Sequence, residues 1–442
     1  MLLRVGLDST DDSKGGCTTH VLSRVVRLLI RKEELRFLDF PRLVRLNPNI
    51  PWKTRGNGAV AVVLSVPENL VEEVVDSVSS LVESLTRSEE TSLIFYKGVP
   101  SRKVRKIAQE ALYRAISLRE AEKVLEEERN ILALWNGSRK GLIGALAAIG
   151  YEFSYDYTFE LLAYRVPENY GKPRRVSRRS VLLMDEKTRP YTFNNIDHET
   201  GRILITPHGP DPVLVGIRGE TPESVFEAYK LLEIEEPVEG WLILKTNQGT
   251  NEHLRKKIPL RELQLYVSAV VEGTLIEDPR VIRGGHVIAK LSDGEASIYL
   301  AAYKETGEVN EALRLLRRGD VVEAYGGVKR IDNNMYTLNL EALKVLRLCN
   351  AYLERAPKCP RCKKAMKSLG KDKGYRCKKC GYVDAKATKV RVYLKREVAV
   401  GRLFLPPPRS HRHLTKPRIR YSMRLAREDA FPPKVPWCFF NE

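Results

Sequence analysis

The sequence predicts a multidomain chain of α/β and α+β domains followed by a β-barrel and a zinc ribbon. Three observations carry this: the length, a switch from mixed patterning to short alternating strands near residue 264, and two Cys-x-x-Cys pairs beyond residue 355. At 442 residues the chain is too long for one hydrophobic core and suggests roughly three or four domains. Its 43% apolar content supports folded structure throughout.

The first element, Leu2 to Leu7, reads as a buried strand that runs directly into the polar loop Asp8-Ser9-Thr10-Asp11-Asp12-Ser13-Lys14-Gly15-Gly16-Cys17. From about Thr18, the spacing of Val21, Leu22, Val25, Val26, Leu28 and Leu29 predicts a helix. A turn-rich stretch, Asn47 to Gly58, leads into a strand over 59–65, and amphipathic helices are expected near 68–86 and 102–126. These elements make an α/β domain over 1–130.

Over 131–255 strands and helices alternate, with candidate strands at 160–165, 202–206, 213–217 and 241–245; this is an α+β domain of ferredoxin-like size. Within it, Gly141 to Gly150 crowds small and apolar residues into what reads as a tightly packed helix. Residues 260–350 then show strands at 266–274, 286–291, 296–301, 321–327 and 335–340, with a helix at 310–316 between the third and fourth. That order matches an OB-fold barrel.

Cys359-Pro360-Arg361-Cys362 and Cys377-Lys378-Lys379-Cys380 each offer two thiolates from one tight turn, and together they complete a tetrahedral Zn²⁺ site. With no open position the metal is structural. The ribbon, 355–390, is crowded with lysines, which favours phosphate contact over mere solvation.

The formal charge is +19, and residues 351–442 hold 25 Lys and Arg against 7 Asp and Glu, which leaves the rest of the chain balanced. On charge alone, a solvated tail is as good a reading as nucleic-acid binding. The extension 391–442 is basic, and His411 to Arg418 within it reads as an RNA-backbone contact or a docking segment. No run approaches the roughly 18 apolar residues of a membrane span, so a cytoplasmic protein without membrane contact is expected. Cys17, Cys349 and Cys438 read as packed thiols.

In the N-terminal loop, Asp8, Asp11 and Asp12 can gather a divalent cation, while Gly15 and Gly16 expose N–H groups at a helix start. Both features suit a nucleoside triphosphate with Mg²⁺. The loop lacks the Gly-x-x-x-x-Gly-Lys pattern of a P-loop. An ordinary turn with Thr18 or Thr19 as helix cap fits the same residues.

The loop Gly6 to Thr19 resembles the signature of the archaeal tRNA-isoleucine 2-agmatinylcytidine synthetases. So do Asn49 to Gly58, Gly209 to Gly219 and Thr246 to Thr250. With the barrel and ribbon in that order, the resemblance spans nearly the whole chain. It implies a kinase-like domain, a ferredoxin-like domain, an OB fold and a zinc ribbon. It also implies an ATP-dependent enzyme that phosphorylates the C2 oxygen of the wobble cytidine in the CAU-anticodon isoleucine tRNA and displaces the phosphate with agmatine, so that the tRNA reads AUA. The partners implied are that tRNA and agmatine, not DNA.

By this resemblance Asp8 and Asp11 hold Mg²⁺ and Thr18 is phosphorylated; Ser9 stands where the family has a second adjacent aspartate, with Asp12 added. On the ATP side the candidates are Asp12, Lys14, Gly15, Gly16, Lys53, Arg55, Asn57 and Gly58. Agmatine needs carboxylates and an aromatic face, for which Asp211, Asp197 and Tyr164 are candidates. The competing readings are a non-catalytic RNA-binding factor built on the barrel and ribbon, and an ATP-dependent modifier of another tRNA base.

Overall fold

The computed structural model describes residues 1–12, 15–53, 56–332, 335–423 and 430–441. The strand Leu2–Asp8 lies between Gly58–Ser65 and Ser92–Lys97, antiparallel to both. These join an eleven-stranded sheet that crosses the first two predicted domains without a break. The seam is one parallel pairing, Arg42–Arg45 beside Val238–Thr246, with Lys245 opposite Arg42. Beyond it run Thr158–Arg165, Val213–Gly219 and Thr192–Phe193.

Strand alternation divides the apolar residues between the two faces. Leu3, Val5, Leu7, Val60, Val62 and Leu64 pack under the helices Thr18–Ile30 and Val71–Leu85. Ala59, Ala61, Ile94 and Tyr96 pack under helices on the opposite face. There the expected helix over 102–126 is two helices, Arg102–Glu110 and Leu118–Glu127, because Ser117 and Glu120 form a capping box that starts the second. The helix Gly141–Gly150 belongs to this same core and carries little polarity on any side, as its composition requires. Of the strand expected at 202–206, only Arg202–Ile203 forms, paired with Ile196–Asp197.

The five strands expected over 260–350 are present and their sheet closes on itself. Ser268–Leu275 pairs with both Val321–Asp332 and Val287–Ser292, and Ser297–Ala302 runs parallel to Met335–Arg347. The helix Glu308–Leu315 sits between the third and fourth strands. Two buried asparagines tie this barrel to the sheet: Asn47 Nδ2 donates to the Tyr266 carbonyl at 2.8 Å and Asn49 Nδ2 to Ser268 Oγ at 2.8 Å. Gly327 leaves the space for Asn49, since a Cβ there would lie 1.9 Å from its amide nitrogen.

The C-terminal extension is a docked segment. Its basic residues meet carboxylates of the body: Arg409 pairs with Asp197 and Glu199, Lys416 with Asp156, Arg418 with Glu308, and Arg420 with Glu220 and Asp156. Cys438–Phe440 adds an antiparallel strand to Val238–Thr246. These pairings account for part of the charge of that segment and support the docking reading.

Candidate active site

The strand Leu2–Asp8 carries Asp8 at its C-terminal end, where Asp8 Oδ1 accepts a 2.7 Å hydrogen bond from the Ser9 N–H. Ser9 is in the left-handed region at φ 60, which turns the chain sharply away from the sheet. The helix Gly141–Gly150 crosses directly behind. Gly144 is the point of contact, because a Cβ there would lie 1.8 Å from Asp8 Oδ2. Burial pushes the Asp8 carboxyl up to about 8, with Asp11 and Glu90 adding to the rise and the Ser9 N–H opposing it.

Thr18 opens its helix, with Cys17 rather than a threonine at the cap position and no side-chain cap bond. Thr18 Oγ1 lies 3.4 Å from Asp11 Oδ1 and 3.3 Å from the buried Thr10 Oγ1. Asp12 faces into the loop instead: its Oδ1 accepts the Gly15 N–H at 2.9 Å. Gly16 takes φ 79, which strains any residue with a side chain, and a Cβ there would lie 3.1 Å from Asp11 Cα.

Asp8, Asp11 and Thr18 open onto a cavity of about 700 Å³. Lys53, Asn57, Gly58 and Asp211 line it too. Lys53 Nζ donates to the Ile50 carbonyl, and Asn57 Nδ2 braces the loop through the Asn47 carbonyl. Asp211 Oδ1 accepts the Val213 N–H at 3.1 Å and lies 3.3 Å from Arg174 Nη2. Asp197 and Tyr164 stand outside the lining: Asp197 is buried against Arg409, and the Tyr164 hydroxyl donates to the Thr19 carbonyl at 2.9 Å, anchoring the helix start. Lys14 and Arg55 fall outside the described residues.

The cavity also contains residues that sequence reasoning missed: Arg45, Glu160, Arg218 and His413. Arg218 and His413 lie in stretches that the sequence singles out, Gly209 to Gly219 and His411 to Arg418, but they, Arg45 and Glu160 arrive from separate strands and from the C-terminal segment, so no local motif announces the cluster. Arg218 Nε donates to Glu160 Oε1 at 3.0 Å, while His413 Nδ1 lies 3.2 Å from Arg218 Nη2 and 2.9 Å from Gln248 Oε1. The His413 imidazole is held well below its usual range by Arg45, by burial and by Arg218, so it is uncharged at neutral pH.

In the helix behind Asp8, Gly144→Ala has no free space for its methyl and must displace the carboxylate, so turnover is expected to fall by roughly 10²-fold. A melting temperature close to wild type, with that loss in kcat, is the expected outcome of parallel melting and turnover measurements.

In the ribbon the four thiol sulfurs of Cys359, Cys362, Cys377 and Cys380 all lie within 4.8 Å of one another. Tetrahedral Zn–S bonds of about 2.3 Å need sulfurs roughly 3.8 Å apart. Lys363 (φ 60) and Gly381 (φ 74) take the left-handed conformation that ends each knuckle. This donor set fits a structural Zn²⁺, and a core of Cys359, Met366, Tyr375 and Cys377 is too small to hold the ribbon without one.

The site is thus a cavity lined by both carboxylates and cations, set in a mixed α/β body that carries a closed barrel and a basic zinc ribbon. Three family models match the chain: the TiaS TCKD domain over 4–133, the TiaS FLD domain over 139–253 and the TiaS C-terminal zinc ribbon domain over 356–398. The isoleucine-2 tRNA 2-agmatinylcytidine synthetase TiaS of Staphylothermus marinus is 40% identical, covering 95% of this chain and 94% of that protein. The enzyme of the same name from Cenarchaeum symbiosum is 40% identical, covering 98% and 96%. A crystal structure of TiaS in complex with isoleucine-2 tRNA and ATP matches with a TM-score of 0.84 at 35% identity, covering 98% of this chain and all of that one. A complex of TiaS with isoleucine-2 tRNA, AMPCPP and agmatine matches with a TM-score of 0.81 at 34% identity, covering 96% and 98%. The chain belongs to the TiaS family of isoleucine-2 tRNA 2-agmatinylcytidine synthetases.

Proposed function

We propose that this chain uses ATP to form 2-agmatinylcytidine at the wobble cytidine of the CAU-anticodon isoleucine tRNA, acting in the cytoplasm. One observation carries the chemistry: Asp8, Asp11 and Thr18 converge on a cavity that is also lined by Arg45, Lys53 and Arg218. Cytosine O2 is a poor leaving group until phosphorylated. Phosphoryl transfer in turn depends on positioning and on neutralising the phosphate chain. Once the base is activated, the agmatine amine attacks C2, the C2–O bond breaks and phosphate departs.

Asp8 and Asp11 fit as ligands of Mg²⁺, because burial, and to a lesser degree Asp11, makes a bare Asp8 carboxylate costly, which a bound cation would relieve. The ion would neutralise phosphate oxygens there. Thr18, beside Asp11 at a helix N-terminus, fits as the phosphorylated threonine. Asp211 is the remaining carboxylate candidate for agmatine.

The kinase-like region is read over 1–130, with Gly141–Gly150 joined to it by packing; the ferredoxin-like region spans 131–255. The closed five-stranded barrel supports an OB fold over 260–350, ahead of the ribbon at 355–390 and the extension at 391–442.

With ATP, Mg²⁺ and labelled agmatine, the protein is expected to label the CAU isoleucine tRNA and leave methionine tRNA unlabelled. Labelling of neither tRNA, with tRNA binding intact, favours a non-catalytic RNA-binding factor. A different modified nucleoside, identified by mass, would point to another base.

A further inference from the structure

Arg45 ends the strand at the seam of the sheet. Its backbone is held on both sides by one amide, since Asn247 Oδ1 accepts the Arg45 N–H at 2.7 Å and Asn247 Nδ2 donates to the Arg45 carbonyl at 2.9 Å. The side chain then runs into the cavity past two glycines. A Cβ at Gly56 would lie 2.7 Å from Arg45 Nη1 and one at Gly58 would lie 2.9 Å from it, so both positions are shaped around this guanidinium.

Among the described residues the Arg45 guanidinium makes no hydrogen bond, and its Nε is buried without a partner. Burial and the neighbouring Arg218 both press against its charge, while Glu160 supports it. Glu160, however, is already engaged by Arg218 and by the Gln248 amide. The corner therefore sets two guanidinium groups and an uncharged imidazole against one adjacent, occupied carboxylate, with Asp11 a lesser support across the cavity. A buried cation left this way is costly unless an anion completes it.

The chemistry of that anion follows from the geometry. A planar guanidinium fork suits paired phosphoryl oxygens.

We propose that Arg45 is a catalytic residue of the phosphoryl transfer, its guanidinium gripping non-bridging oxygens of the phosphoryl group as it passes to cytidine O2. This rests on the synthetase reading. As O2 forms its bond to phosphorus, the bond to the bridging oxygen breaks and its electron pair leaves with the remaining phosphate chain. Arg45 transfers no proton; it neutralises charge.

The test compares full-length wild type, Arg45→Ala and Arg45→Lys in ATP-dependent agmatine incorporation. Arg45→Ala is expected to lower kcat by ~10²- to 10³-fold, with tRNA affinity and KM for agmatine unchanged. Arg45→Lys keeps the charge but loses the fork, and should fall between the two. Millimolar guanidinium should restore part of the turnover of Arg45→Ala, a response that a purely structural role would not give. If Arg45→Ala does not fold, Arg45→Lys carries the test through its kcat alone. A kcat within about threefold of wild type in the folded variant, or a loss shared equally by tRNA and agmatine binding without guanidinium rescue, overturns the proposal. Failure of the wild-type protein to incorporate agmatine would instead sink the synthetase reading.

Discussion

Asp8→Asn is expected to lower agmatine incorporation by ~10³-fold or more while leaving tRNA affinity unchanged. The substitution keeps the shape and the hydrogen bond, because an asparagine Oδ1 still accepts the Ser9 N–H, and removes only the charge. The stability effect should run the opposite way. The native Asp8 carboxyl is pushed up to about 8 from an ordinary value near 4, so keeping it ionised penalises folding. That penalty is absent below about pH 4, where both states are protonated, grows between 4 and 8, and is complete above 8. Asp8→Asn should therefore melt higher than wild type without added Mg²⁺ and nucleotide, by a margin that increases from pH 5 to pH 8. A catalytically dead variant that is the more stable protein is the mark of a carboxylate kept for function at the expense of stability. Full turnover in Asp8→Asn would remove Asp8 from the metal site.

Those parts of the molecule that depend on neighbours in sequence are legible from residue order alone. The strand, loop and helix over 2–30 follow from a period-two run, a glycine turn and a helical stripe. The barrel strands follow from alternation, and the metal ligands from spacing. What escapes such a reading depends on residues far apart in the chain. The strand Arg42–Arg45 is only four residues long, and its parallel partner lies about 200 residues away. Nothing local marks Arg45 as different from a solvated arginine. Gly144 reads as a packing residue, which it is, but only the fold shows that its missing Cβ is filled by Asp8. Tyr164 and Asp197 show the converse: an aromatic ring and a carboxylate in the right region lie outside the cavity lining and bond to the Thr19 carbonyl and to Arg409.

The basic C-terminal end divides into two parts that deletion should separate. Lys363, Lys364, Lys367, Lys371, Lys373, Arg376, Lys378 and Lys379 are all exposed on the ribbon. Several cations of the extension, by contrast, pair with carboxylates of the body, among them Arg396, Arg409, Arg412 and Lys416, and Arg420 is buried between Glu220 and Asp156. Each phosphate neutralised adds roughly 0.7 to 0.9 to the salt slope of binding. If about four of these ribbon cations reach phosphates, replacing 356–390 with a short linker should lower that slope by about 3 and weaken tRNA binding by ~10²-fold at moderate salt. The remaining body should melt as before, since the ribbon has its own core. Removing 403–441 should do the reverse. It exposes the edge of Val238–Thr246, strips His413 from the cavity and leaves Glu220 buried without its cation, which alone costs about 3–5 kcal/mol. That protein should fail to fold or melt far below wild type, whatever its charge. Salt titration of tRNA binding and thermal melting of the two deletions together decide the matter. A ribbonless protein with the wild-type slope would mean that the tRNA backbone is held elsewhere, on the barrel or around the mouth of the cavity.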